Sequence, residues 1–175
     1  MDKFKRLNDF QLKMRPAALR VYRSVFGECS VEDLRSEDTG SNEPHVLDRL
    51  FGIDSMLVFP SGVWVSLQEK YRHHAFLRYG DFTQEFKNAA GTVHENPGEW
   101  FHLGAQLYFY GWTNERETEF QRWVILDIAK YKVLVELSGG LSTIGSLRQN
   151  NEHGRASFYA IPIEHLRDAI MFSSS

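Results

Sequence analysis

Helical periodicity governs the first part of the chain. Leu19, Tyr22 and Phe26 recur on one side after Pro16, a residue tolerated in a first helical turn, and Gly27 ends the run. Arg20 and Arg23 fall on another side, so such a helix can bury one stripe and present charge elsewhere. Ser30 followed by Glu32 and Asp33 predicts a second, short helix, and residues 36–44 read as an exposed loop.

From Asp54 onward the period shortens. Ser55 to Phe59 is a compact apolar run, Pro60-Ser61-Gly62 has turn chemistry, and Val63 to Leu67 resumes with β-branched and aromatic residues, which together predict a β-hairpin. A third strand is expected within residues 76–86, a loop over 87–98, a short helix over Glu99 to Gln106 and an aromatic strand over Leu107 to Trp112. Trp123 to Asp127 predicts a further strand, and Ile128 to Leu137 a helix closing at Gly139-Gly140. Residues 139–154 suggest a flexible loop, Ser157 to Ile163 a last strand, Glu164 to Phe172 a last helix, and the final serines a frayed end. The order predicts an α/β fold, a mixed central β-sheet flanked by helices.

Composition narrows the class. The 175 residues are enough for one cored domain, and 42% apolar with 14% aromatic residues is far from a disordered composition. One domain is therefore expected, alone or as a homodimer. The single cysteine, Cys29, rules out an intramolecular disulfide framework and an all-cysteine zinc site. No leader pattern or membrane-spanning run is evident, so a cytoplasmic protein without a membrane partner is expected. Net charge is −3, yet residues 1–23 carry seven basic residues against Asp2 and Asp9. That local excess, a basic N-terminal arm over 1–15 and the helix after it, can meet a polyanion or simply be a solvated face.

The chemistry concentrates on the hairpin. Alternation along the second strand sends Gln68, Lys70 and Arg72 to one face, and Leu67, Glu69 and Tyr71 to the other. The chain runs to the turn and returns, so Asp54 is expected beside Gln68 and Lys70. A carboxylate such as Asp54 suits Mg2+, with the Gln68 oxygen and a backbone carbonyl as further oxygen ligands. Lys70 would orient or deprotonate water and offset charge on a phosphate.

With Gly52-Ile53-Asp54, the hairpin and Gln68-Glu69-Lys70, the sequence resembles the PD-(D/E)xK, or restriction-endonuclease-like, nuclease superfamily, in a variant with Gln68 in place of the second acid. The resemblance covers most of residues 16–127. It implies an α-β-β-β-α-β core, Mg2+ or Mn2+ as cofactor, and cleavage of nucleic acid, DNA ahead of RNA, with Asp54, Gln68 and Lys70 catalytic. Ile53 stands where the family has proline, and the neutral Gln68 implies weaker metal binding. A catalytically inactive relative, acting as a nucleic-acid-binding or protein-interaction module or as a viral or mobile-element accessory protein, is the alternative.

Other residues stand further back. Glu85 is a candidate third metal ligand and Asp48 a second-tier one. Arg15, Arg20, Arg23, Arg72 and His73 are candidate phosphate contacts, although adjacent His73 and His74 read better as surface residues. Gln106 and Tyr110 match a QxxxY element of some nuclease branches but also fit an aromatic core strand. Arg148 and Arg155 adjoin the glycine-rich loop, which has no phosphate-loop lysine and no GxGxxG.

Overall fold

The computed structural model describes residues 3–34, 46–150 and 156–174, with side chains from residue 9 onward and excluding position 49. The loop expected over 36–44, Arg155 and the last serine lie outside the described residues.

Helix α1 runs Lys3–Phe26, so Pro16 lies inside it and the expected basic arm is its first half. Proline there costs an intrahelical hydrogen bond. The buried stripe of Met14, Ala17, Ala18 and Tyr22, packed on the sheet, holds the helix together across that gap. Gly27 closes it at φ +85°, a left-handed conformation, donating its N–H to the Arg23 carbonyl at 3.1 Å.

Six strands form the main sheet, in the order β1 (Ser30–Asp33), β2 (Ser55–Val58), β3 (Trp64–Arg72), β6 (Leu107–Thr113), β7 (Phe120–Asp127) and β10 (Ile170–Ser173). All neighbours are antiparallel except β3 and β6. The short helix expected at Ser30 is instead β1, because its four residues pair with β2 and send Val31 onto the α1 core. Helix α2 (Val46–Phe51) precedes β2 and contains Asp48, which is therefore not on a strand with Asp54.

The chain between β3 and β6 leaves this sheet. A 3-10 turn over His74–Tyr79 ends at left-handed Gly80, and β4 (Asp81–Asn88) joins a second antiparallel sheet, ordered β5 (Asn96–Pro97), β4, β9 (Ser157–Pro162), β8 (Ser146–Gln149). The third strand expected next to the hairpin is thus in another sheet. The helix expected over Glu99 to Gln106 shrinks to a 3-10 turn at Glu99–Phe101, because Gly104 is drawn onto Phe51, its N–H 2.7 Å from the Phe51 carbonyl. Helix α3 (Ile128–Leu137) is capped by the Asp127 side chain and followed by α4 (Leu141–Ile144). The loop expected over 139–154 is ordered structure up to residue 150, and the last helix is a 3-10 turn over Ile163–Ala169 that leads into β10. Among the described residues no helix is long and apolar enough to cross a membrane.

The main sheet is buried on both faces. Leu57, Leu67, Phe109 and Ile125 pack on α1, while Tyr108, Tyr110, Trp112 and Leu126 pack toward the second sheet and α3. Glu69 points to the α1 side and is only 4% exposed. Its carboxylate accepts from the hydroxyls of Tyr22 at 2.5 Å, Tyr71 at 2.6 Å and Ser55 at 3.0 Å. Burial, then the Glu69 charge, push the Tyr22 hydroxyl well above its usual pKa, so it stays a donor. Replacing Tyr22 with Phe removes one hydrogen bond to a buried charge and is expected to cost about 1.5–3 kcal/mol in urea unfolding. A change below about 0.5 kcal/mol would show that the remaining hydroxyls satisfy Glu69 unaided.

Candidate functional site

The hairpin register pairs Ser55 with Leu67, and one further step places Asp54 across from Gln68. The Asp54 N–H bonds the Leu67 carbonyl at 2.8 Å, and its Oδ2 accepts the Glu69 N–H at 2.7 Å. A backbone bond of the ladder is thus replaced by a side-chain bond, which fixes the carboxylate. The Gln68 Oε1 atom is buried and meets no hydrogen-bond donor among the described residues. It lies against Gly52, where φ is +54° and a Cβ would come within 3.1 Å of Oε1 and 3.4 Å of the His102 carbonyl oxygen. The left-handed backbone favours glycine there, and a side chain would press on the Gln68 amide.

Lys70, two residues along β3, keeps 16% of its side chain exposed. Its Nζ lies 2.9 Å from Glu85 on β4 and 3.3 Å from Glu99 on the 3-10 turn. Burial by itself favours the neutral amine, but Glu85, Glu99 and the neighbouring Tyr110 outweigh it and raise the Lys70 pKa above its ordinary value. A lysine so strongly protonated does not take a proton near neutral pH. The expected base role of Lys70 is therefore replaced by that of a fixed cation. Glu85 is held below its ordinary pKa, first by Lys70 and then against its own burial. Glu99 is raised by burial, with Lys70 pulling it back, Glu85 adding to the rise and the Tyr108 hydroxyl opposing it.

Glu99 did not stand out in the sequence. Its only local sign is an acid beside Gly98 and Trp100, and its meeting with Lys70 depends on how the second sheet folds over the first. The turn it begins continues to His102, whose carbonyl faces Gly52 and Gln68, so one segment lines the site from Lys70 to Gln68.

The basic candidates separate. Arg15 pairs with Asp33 at 2.5 Å, Arg20 donates to the Thr118 carbonyl at 2.8 Å and Arg23 to the Cys29 carbonyl at 3.1 Å. All three sit on α1, behind the sheet from Gln68 and Lys70, because α1 packs on the opposite alternation of β3. His73 caps its turn, faces Glu117 at 3.5 Å and is not joined to Lys70. Arg72 alone shares the Lys70 face, in a cleft of about 510 Å³ between the sheets. Gln106 clips β3, its Oε1 accepting the Ser66 N–H at 3.0 Å, while Tyr110 shares a hydrogen bond with Thr83 at 3.0 Å. These two do not act together.

Among the described residues no three His, Cys, Asp or Glu side chains gather as a metal cluster. A hard cation at Asp54 would instead use the unpartnered Gln68 oxygen, and Mg2+ accepts such an oxygen set while keeping waters. The oxygens of Asp54 and Gln68 are of the type that a divalent cation takes. No family model matches the chain, and no curated protein or solved structure matches it.

Removing the central cation exposes the electrostatics. Lys70→Met leaves Glu99, 12% exposed, and Glu85, 37% exposed, facing each other with only the weaker pull of Arg72 on Glu85 as counter-charge. The expected loss is about 3 kcal/mol at neutral pH, the lower end for a broken buried pair because Glu85 still reaches solvent. Without Lys70, Glu85 loses the main cause of its lowered pKa and Glu99 loses the charge that opposed its rise, so the deficit is small at low pH and grows as pH rises through the carboxylate range. Chemical denaturation across pH checks this, and a pH-independent deficit would contradict it.

Proposed function

We propose that the chain is a divalent-metal-dependent nuclease with a restriction-endonuclease-like core. The observation that carries the reading is the pairing of Asp54 with Gln68, whose buried oxygen lacks a donor among the described residues, one pleat from the Lys70 cation. Part of the core order is consistent with it: α1, β1, β2 and β3 follow in sequence, with the short helix α2 inserted between β1 and β2, Asp54 just before β2 and Gln68-x-Lys70 on β3. The following helix of that core is replaced here by β4, β5 and 3-10 turns before β6 pairs in parallel with β3.

Asp54 and Gln68 would hold Mg2+ or Mn2+, with Glu85 supplying further negative charge. Bound there, the ion would polarise a phosphoryl oxygen and lower the pKa of coordinated water. Lys70 offsets the charge that develops on the phosphate, held in place by its two carboxylates. Glu99, with its raised pKa, is the carboxyl best suited to carry a proton beside the reacting group. Arg72 positions a phosphate further along the cleft.

One observation favours a second reading, an inactive nuclease-fold module. Gln68 is neutral, and the Lys70 charge is already balanced by Glu85 and Glu99. The two readings part in one experiment. Asp54→Asn retains an acceptor for the Glu69 N–H, so it is expected to fold while losing at least about a hundredfold in Mn2+-dependent cleavage of labelled DNA or RNA. Calorimetry is expected to show Mn2+ binding that the substitution removes. Absence of cleavage with either metal on single- and double-stranded DNA and RNA, together with no Asp54-dependent Mn2+ binding, would leave the module reading.

A further inference from the structure

The cleft beyond Lys70 is a built site in its own right. Lys70 and Arg72 of β3 form one wall, and Asp81, Thr83 and Glu85 of β4 the other. Lys70 is shared between two carboxylates and Arg148 lies 3.6 Å from Asp81. Arg72 forms no ion pair among the described residues, and its buried Nε has no hydrogen-bond acceptor there. Its guanidinium is stacked over the Phe76 ring at 4.4 Å, which fixes its plane. Phe76 and Tyr79, both lining the cleft, are 42% and 50% exposed, with ring centroids 6.5 Å apart. Phe158 of β9 adds a third aromatic lining residue.

A donor without an acceptor, set among exposed rings, suits an anion attached to a flat apolar group. The volume of about 510 Å³ lies within the roughly 300–1,000 Å³ of pockets that hold one small organic molecule. One nucleotide unit fits that description, and a base-paired stack does not. Resting on the nuclease reading of Lys70, we propose that the cleft takes a single unstacked nucleotide of a single strand, its phosphate at Arg72 and its base against Phe76 and Tyr79. Bases splayed from single strands stack on aromatic and arginine planes in this way. A duplex must first unpair and unstack, so single-stranded nucleic acid or a frayed end is the preferred substrate.

The test measures binding apart from cleavage. Short fluorescein-labelled oligonucleotides of DNA and of RNA are titrated with the full chain in EDTA, each as a single strand and as a blunt duplex. Single strands are expected to bind roughly tenfold or more tightly than the duplex. Phe76→Ala, on an exposed turn, and Arg72→Ala, with its fold checked by circular dichroism, are each expected to weaken single-strand binding about five- to a hundredfold. Equal binding of duplex and single strand, or variants that bind single strands as the wild type does, overturns the proposal. Asp54→Asn keeps the two proposals apart, because it is expected to abolish cleavage without weakening single-strand binding in EDTA. Single-strand binding without cleavage in Mg2+ or Mn2+ sinks the nuclease reading alone. Cleavage of blunt duplex as fast as single strands sinks the cleft proposal alone.

Discussion

A carboxylate cannot be taken out of water without donors to replace it, and Glu69 is placed where three hydroxyls converge. Tyr22 comes from α1, Ser55 from β2 and Tyr71 from β3, so one buried charge joins the helix to two strands. The same residue donates its backbone N–H to Asp54. The α1 face of β3 therefore sets the geometry of the opposite face. The middle position of Gln68-Glu69-Lys70, which has no direct chemistry, is what holds the two outer ones in register with Asp54.

On the other face the problem is a buried cation. Lys70 meets it with Glu85 and Glu99, which come from separate elements of the second sheet and its approach. Glu85 stays ionised beside the lysine, while burial draws Glu99 toward its neutral form. Along the same wall, Arg72 is left with no ion pair among the described residues. In the cleft, Lys70 and Arg72 of β3 thus face Asp81 and Glu85 of β4.

Local pattern was enough for the end of α1, the β2 and β3 hairpin, β6, β7, α3 and β9, because in each the spacing of apolar residues and a nearby turn or cap agree. It failed where a distant partner decides. Ser30–Asp33 is a strand only because β2 lies beside it, and Ile170–Ser173 only because β7 does. Strict alternation was sufficient to bring Asp54 opposite Gln68. Glu99 was not legible because its contact with Lys70 crosses between sheets. That Arg15, Arg20 and Arg23 lie behind the sheet from Lys70 was hidden for a related reason: a count of charges does not say which side of a sheet a helix will cover.

The parallel pairing of β3 with β6 has a bearing on the order in which the molecule is made. Antiparallel neighbours can zip together soon after they are synthesised, but a parallel pair waits for the whole crossing segment, and such long closures slow folding. Here the crossing segment carries both Glu85 and Glu99. A nascent chain with its hairpin formed and its second sheet undocked would already hold Asp54, Gln68 and Lys70 side by side, with the lysine still open to water and lacking its counter-charges. The three residues of the motif meet early, whereas the electrostatic character of their surroundings is among the last things the chain acquires.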